Sequence, residues 1–276
     1  MILSVCLCGC AAPADKALEK TAVSEAVSGA KCRASIHSTD LRKTVFALVS
    51  SAENSTIDYG RCYSYIKDIN DGRGYTAGII GFCSGTGDLL EVVKLYSQLK
   101  RDDPLQSYLP ALEKVNGTDS HDGLGEGFEA AWKKACEDPQ MKEAQDMILD
   151  QNDLKPALED AAEDGLGPLG QYIYYDAYVV HGDIAGIRQK AEQEKETPAE
   201  GGDEAQYLTA FLKARQKIMQ EEEAHEDLSR LKAQQKFIDE GNFFLSLPLA
   251  WTMYGDSYTL TEKDLDDLPG EYHPSV

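Results

Sequence analysis

The feature that most constrains the fold is a glycine-rich block at residues 68–88, DINDGRGYTAGIIGFCSGTGD. It contains six glycines, and its one mainly apolar stretch, residues 75–82, is short and is itself interrupted by glycine. Glycine is costly inside a helix but is favoured in turns that need positive φ angles. The block therefore predicts short strands joined by tight turns, and we expect one small sheet near residues 62–83.

On both sides of this block the chain shows the apolar spacing of amphipathic helices. Thr39 can cap a helix in which Leu41, Val45, Leu48 and Val49 fall on one face. A second helix is expected to begin near Asp88, and further helices at roughly 126–137, 140–150, 154–164, 168–180, 184–193, 203–230 and 233–240. The predicted fold class is mainly α (α+β), with one small sheet.

The net charge of the chain limits which classes of binding partner are expected. It has 48 acidic and 27 basic side chains, which gives a net charge of −21 at pH 7. A nucleic-acid partner is not expected, because phosphate binding needs an excess of Lys and Arg. A hydrophobic fraction of 42% is enough to build a core, and no stretch of about 18 apolar residues predicts a transmembrane helix. The acid excess favours a cationic partner, or serves solubility alone.

The N-terminus is predicted to be an export segment. Residues 2–12 are mostly small or apolar, and no charge occurs before Asp15, although the basic start of a secretory signal is missing. Leu7-Cys8-Gly9-Cys10 also resembles a lipoprotein box, in which Cys10 would carry the lipid. We therefore expect a leader and linker at residues 1–37, a folded domain at 38–276, and a secreted protein, with lipid anchoring through Cys10 as the alternative.

The cysteines and histidines give no sign of a metal site. Four of the seven cysteines lie outside the leader, and these four (Cys32, Cys62, Cys83 and Cys136) allow three disulfide pairings, which the sequence leaves open. No pair of them has zinc-ligand spacing, and the five histidines are scattered. Cys83 lies in an apolar run and is expected to be a small buried thiol. The glycine pairs lack Rossmann or P-loop spacing, so no cofactor is expected.

Two carboxylates are candidates for acid–base chemistry. Glu53 continues the series Val45 and Val49 at a step of four, an unusual place for an acid unless it is paired or used. Asp71 lies in the glycine-rich turn. Glycoside hydrolysis needs such a pair, with one carboxyl kept neutral by burial and one kept ionised in a polar setting. In a chain with 48 acids, a helix cap or surface acid remains the simpler interpretation from these two residues alone.

Two further features concern charges near apolar segments. Asp176 lies inside the apolar run QYIYYDAYVV, and a buried Asp needs a partner, most obviously an Arg. A mixed-charge stripe is predicted on one face of the long helix at 203–230, formed by Arg215, Met219, Glu222, Glu226 and Arg230. This stripe is either a surface of weak ion pairs or the lining of a cleft.

Several segments together closely resemble the signature of glycoside hydrolase family 46, the chitosanases. The resemblance begins with LVSSAENS (48–55) and DGRGYTAGIIGFCSGTGDLLE (71–91) and covers roughly three quarters of the chain. It continues in order through YLPAL (108–112), GLGPLGQYIYYDA (165–177), TPAEGGDE (197–204), AHEDLSR (224–230) and YGDSY (254–258). It implies a lysozyme-like fold with two lobes, a small antiparallel sheet and a substrate cleft between the lobes. It also implies an endo-acting enzyme that hydrolyses β-1,4 linkages between glucosamine residues of chitosan with inversion.

The resemblance also assigns roles to individual residues. Glu53 matches the general acid, Asp71 the general base, Thr76 a residue that holds the attacking water, and Asp88 an acid that binds a substrate ammonium group. An inverting pair of carboxyls is expected to stand about 6.5–9.5 Å apart. Asp176, Arg215 and Arg230 match a charged network behind the acid, with Arg230 near Glu53. Ser55, Tyr65, Arg73, Gly81, Glu222, His225 and Glu226 match positions in the substrate cleft.

The resemblance leaves the subsites and two alternative functions open. Only Asp183-Ile184-Ala185 separates Gly182 from Gly186, where the family often has a longer loop beside the cleft. The first alternative is a catalytically silent polycation-binding protein on the same scaffold. The second is a lysozyme or chitinase that acts on acetylated polymer. We expect a monomer that needs no cofactor and whose partner is chitosan, bound by an acidic cleft containing Asp88, Glu222 and Glu226.

Overall fold

A computed structural model describes residue 36 and residues 39–221 and 227–270 of the chain. Nearly all of the predicted leader and linker at 1–37, including Cys10 and Cys32, lies outside the described residues, so this boundary stays a prediction. Glu222, His225 and Glu226 also lie outside them.

The first helix, α1 (Thr39–Glu53), carries the predicted apolar face. Val45, Leu48 and Val49 are buried, and Phe46 stacks on Tyr175 with ring centroids 5.8 Å apart. Glu53 is the last residue of α1, which places its side chain at the point where the helix leaves the core.

The glycine-rich block forms the predicted small sheet. Strands β1 (Ile66–Asp68), β2 (Tyr75–Ala77) and β3 (Phe82–Cys83) pair antiparallel in that order. Glycines in the connecting turns have positive φ, as the composition predicts. Gly78 shows the constraint most clearly: its φ is +80°, and a Cβ there would stand 2.4 Å from Oε1 of the buried Gln145. That oxygen accepts a hydrogen bond from the Ile79 amide, which ties the β2–β3 turn to a helix.

Helices account for most of the remaining described chain. They are α2 (Asp88–Leu99), α3 (Leu109–Val115), α4 (Gly125–Ala135), α5 (Pro139–Leu149), α6 (Lys155–Glu163), α7 (Pro168–His181), α8 (Ala185–Glu192), α9 (Glu204–Met219), α10 (Ser229–Asp239) and α11 (Glu262–Asp267). Short 3₁₀ segments of one or two turns occur at Tyr59–Ser64, Gln106–Tyr108 and Pro198–Glu200. None of the helices in the described part of the chain is long and apolar enough to span a membrane.

A π-helical turn, Asp150–Leu154, joins α5 to α6 without a break. The sequence predicts two helices separated near residue 152, whereas the structure has one continuous helical segment with a wider turn inside it. Pro156 explains the wide turn, because proline cannot donate a backbone hydrogen bond and its ring clashes with the carbonyl of the preceding turn.

The predicted helix at 203–230 is wrong in its length. Helix α9 ends at Met219 and α10 begins at Ser229, so Arg215 and Arg230 lie on two different helices and the predicted single stripe does not exist. The acidic run that begins at Glu221 gives a physical reason, because negative side chains at a helix C-terminus oppose the helix dipole.

A second, two-stranded sheet was not predicted. Strands β4 (Leu249–Met253) and β5 (Asp256–Leu260) form a hairpin. Its turn residues Tyr254 and Gly255 both have positive φ, which is the geometry of tight two-residue hairpins. Trp251 donates from Nε1 to Ser51 Oγ at 2.9 Å, which attaches the hairpin to α1.

The cysteines of the described residues are unpaired thiols. Cys62, Cys83 and Cys136 are all free and buried. The buried-thiol prediction for Cys83 is therefore confirmed, and none of the disulfide pairings left open by the sequence forms among these three residues.

Candidate active site

The structure has an open cleft with a volume of about 870 Å³. Its walls come from the end of α1, the three-stranded sheet, the start of α2, the π-helical turn and the end of α7. Seven of the predicted site residues line it: Glu53, Ser55, Tyr65, Arg73, Thr76, Gly81 and Asp88. The short connection after α7 also reaches it, because Gly182 is among the lining residues.

Glu53 stands at the edge of this cleft in contact with Arg230. Arg230 Nη2 contacts Glu53 Oε1, which joins the end of α1 to the start of α10. The Arg230 side chain is only 4% exposed, whereas that of Glu53 is 27% exposed. The Glu53 carboxyl therefore contacts a buried cation, Arg230, and is also accessible from the cleft.

Behind Arg230 lies a fully buried ion network centred on Asp176. Arg215 donates from Nη1 to Asp176 Oδ2 at 2.7 Å, Gln234 donates to the same oxygen at 2.7 Å, and Arg230 Nε lies 3.2 Å from Asp176 Oδ1. Burial raises the pKa of Asp176, but the charges of Arg230 and Arg215 and these hydrogen bonds outweigh it and lower the pKa below its usual value. Asp176 is therefore an anion that holds two arginines.

The two arginines differ in their surroundings. Burial lowers the pKa of Arg215. Burial also lowers that of Arg230, but the charges of Asp176 and Glu53 outweigh it and raise the pKa above the usual value. Arg230 consequently stays a cation that is shared between Asp176 in the core and Glu53 in the cleft.

Asp71 lies in the β1–β2 turn and is held by Arg73. The Arg73 amide donates to Asp71 Oδ1 at 3.0 Å, and its side chain donates from Nε to Oδ2 at 2.8 Å. Slight burial raises the pKa of Asp71, but these hydrogen bonds and the Arg73 charge lower it overall, which favours an ionised carboxylate. Arg73, predicted as a substrate-binding residue, thus lines the cleft and also positions Asp71. The predicted distance between the two carboxyls stays a prediction.

Asp88 and Thr76 line the cleft beside the sheet. Asp88, the first residue of α2, accepts at Oδ1 from Thr86 Oγ1 at 2.6 Å and from the Cys83 amide at 2.9 Å. Burial nevertheless raises its pKa. The Thr76 hydroxyl lies 3.6 Å from Cys83 Sγ on the neighbouring strand. Both side chains are fixed by contacts to β3.

The remaining predicted cleft residues have simpler surroundings. Tyr65 is 40% exposed at the end of the first 3₁₀ turn, Ser55 has a φ of +53° just after α1, and Gly81 lies between β2 and β3. The predictions for Glu222, His225 and Glu226 fall outside the described residues, so their place relative to the cleft stays a prediction.

One acid of the cleft wall, Asp153, is not among the residues that the sequence predicts. It lies in the π-helical turn and is part of the cleft wall. Burial and the negative charges of Asp88 and Glu53 raise its pKa to about 7. No motif marked it, because the sequence predicts only a helix boundary at this position.

Asp176→Asn is expected to destabilise the protein strongly. The variant leaves two buried arginines without the anion that holds them, and breaking a buried ion pair typically costs about 3–5 kcal/mol. Chemical denaturation measures this loss, with Asp239→Asn, an exposed acid on α10, as the matched control that should change stability by less than about 0.5 kcal/mol. Equal stability of the two variants would contradict the structural role of Asp176.

Comparisons with known proteins agree on one family. Residues 47–249 match the model of glycosyl hydrolase family 46. The chain is 47% identical over 246 residues to a chitosanase of Streptomyces sp. (strain N174), covering 87% of this chain and 88% of that protein. It is 51% identical over 220 residues to a chitosanase of Nocardioides sp. (strain N106), covering 77% and 79%.

Solved structures give the same result. A structure described as a chitosanase complex has a TM-score of 0.77 and 51% identity, covering 80% of this chain and 96% of its own. The co-crystal structure of chitosanase OU01 with substrate has a TM-score of 0.77 and 50% identity, with the same coverage. These comparisons confirm the predicted mainly helical, lysozyme-like fold. The chain belongs to glycoside hydrolase family 46.

Proposed function

We propose that the protein is an endo-acting chitosanase that hydrolyses β-1,4 linkages between glucosamine residues of chitosan with inversion. The observation that carries this proposal is two carboxylates, each held by its own arginine: Glu53 lines the cleft and contacts Arg230, and Asp71 lies in the β1–β2 turn and pairs with Arg73, which lines the same cleft. The relatives described above are named chitosanases, which supports the same substrate.

In the proposed mechanism Glu53 is the general acid and Asp71 the general base. Protonated Glu53 gives its proton to the glycosidic oxygen as the bond to the anomeric carbon breaks. Asp71 takes a proton from a water that attacks that carbon from the opposite face, so the product has the inverted configuration. The Thr76 hydroxyl is the group proposed to orient this water.

Arg230 suits the proposed role of Glu53 because its positive charge is shared between Glu53 and Asp176. Asp176 balances part of the Arg230 charge, so the guanidinium is not an uncompensated cation beside Glu53. Once the proton has left, the same guanidinium contacts the new Glu53 carboxylate and stabilises it. Proton transfer then returns the acid to its starting state through bulk water.

The acidic cleft suits a polycation. Each glucosamine unit carries an amine, which is an ammonium ion in mild acid, and Asp88 is the described acid that we propose to bind one. Glu222 and Glu226 are proposed to act similarly. An acetylated unit carries no positive charge at this position, so the proposal disfavours chitin as a substrate.

Glu53→Gln and Asp71→Asn should each reduce the release of reducing ends from highly deacetylated chitosan by about a hundred- to ten-thousand-fold. Both substitutions keep the shape of the side chain, but the amide that replaces the carboxyl can neither donate nor accept the proton that catalysis requires. Wild-type protein should release almost nothing from acetylated chitin under the same conditions. A folded wild type that binds but does not cleave chitosan would instead support the silent polycation-binding protein, and preferred cleavage of chitin would support the lysozyme or chitinase alternative.

Arg73→Gln should move the acidic limb of the kcat/KM profile to higher pH. Asp71 must be ionised to act as a base, and Arg73 lowers its pKa, so removing this cation raises the pKa and activity is lost earlier on acidification. Arg61→Gln is the matched control, because it removes the same charge from the same cleft while Arg61 pairs with Asp58. The assignment of Asp71 as the general base would be contradicted if the acidic limb of the kcat/KM profile did not shift in Arg73→Gln, or if it shifted equally in both variants.

We also propose that the protein is exported and monomeric. The apolar N-terminal segment supports the proposal of export, and the alternative is a lipid anchor at Cys10. Cell fractionation separates these: protein in the medium supports secretion, protein in membranes that is lost on Cys10→Ser supports the anchor, and protein retained inside cells contradicts both. Light scattering should give the mass of one chain, and a dimer mass would contradict the monomer.

A further inference from the structure

The π-helical turn that carries Asp153 is attached to α1 and α2, the helices that carry Glu53 and Asp88. At one end of the π-helical turn, Arg42 of α1 donates to Asp150 Oδ1 at 2.7 Å. Next to Asp153, the Asn152 side chain donates to Glu91 of α2 at 3.1 Å. Since α1 ends at Glu53 and α2 begins at Asp88, these contacts set the position of the Asp153 backbone relative to the helices that carry both carboxyls.

Asp153 differs from the other acids of the proposed site in lacking a protein partner. Arg230 contacts Glu53, Arg73 contacts Asp71, and Asp88 accepts from Thr86 and two backbone amides. Within residues 39–221 and 227–270, no cation or hydrogen-bond donor contacts the Asp153 carboxyl. A half-buried acid in a cleft wall that no protein group satisfies is free to bind a ligand.

The electrostatics show which kind of ligand would satisfy it. Burial comes first among the causes that raise the pKa of Asp153 to about 7, followed by the negative charges of Asp88 and Glu53. The protein therefore leaves negative charge uncompensated at this point of the cleft. A cation placed there would favour the ionised carboxylate and relieve the repulsion among the three acids.

We propose that Asp153 is a further substrate-binding residue, whose carboxylate binds the ammonium group of a glucosamine unit in the cleft. This assignment rests on the proposed function and deepens it, because it adds a second described acid to Asp88 for the recognition of deacetylated units. An N-acetyl group has no charge to offer and would leave Asp153 unsatisfied, so this position favours glucosamine over N-acetylglucosamine.

The test is the effect of Asp153→Asn on KM and kcat with highly deacetylated chitosan. Loss of a partly buried ion pair to substrate should raise KM about tenfold, while kcat changes by less than about twofold, because Asp153 does not take part in the proton transfers. Asp153→Glu restores the charge and should recover most of the affinity. Glu159→Gln is the matched control: it removes one exposed charge from α6 outside the cleft wall and should leave both constants unchanged.

A binding measurement separates this proposal from the proposed function. In the Glu53→Gln background, calorimetry with a glucosamine hexamer should show about a tenfold weaker Kd when Asp153→Asn is added. If wild type cleaves chitosan but KM and Kd are unchanged in Asp153→Asn, only the Asp153 assignment fails. A fall in kcat alone also overturns it, as does a variant that does not fold, since an uncompensated charge should not be needed for stability. A wild type without chitosan cleavage overturns the proposed function, and the hexamer measurement still tests Asp153.

Discussion

The ion network around Asp176 is the interaction on which the rest of the site depends. It joins α7, α9 and α10 through Arg215 and Arg230, and it reaches α1 through Glu53. Each buried charge is costly alone and is tolerated only because its partners are present. The same ion network therefore holds these four helices together and positions the proposed general acid.

The carboxyls of the proposed site differ because their surroundings differ. Glu53 faces a buried arginine whose charge is shared with Asp176. Asp71 lies in an open turn, where Arg73 favours its ionised form. Asp153 is partly buried and has neighbouring acids in place of a cation, and burial first and these acids second raise its pKa. The proposed enzyme uses carboxyls in three roles: as a general acid, as a general base and as a group that binds ammonium. Such similar side chains can take different roles only if their environments differ.

The sequence predicted those parts of the site that local pattern controls. Apolar spacing placed Glu53 at the end of a helix, and the glycines placed Asp71 in a turn before a sheet. The sequence did not predict that Arg215 and Arg230 lie on separate helices, because their spacing fits one helix equally well and only tertiary contacts distinguish the two arrangements. The β4–β5 hairpin had a local signal, since Leu249, Trp251 and Met253 alternate inward before a Tyr-Gly turn. Asp153 had none, because its position depends on how a π-helical turn packs against α1 and α2.

The stereochemistry of the first product tests the central claim most directly. Proton NMR during hydrolysis of a glucosamine hexamer by wild-type protein resolves the two anomers before they interconvert. The arrangement with Glu53 as acid and Asp71 as base predicts that the α-anomer appears first, because water attacks the face opposite to the β-1,4 bond. Initial formation of the β-anomer would require a covalent intermediate and would contradict the account.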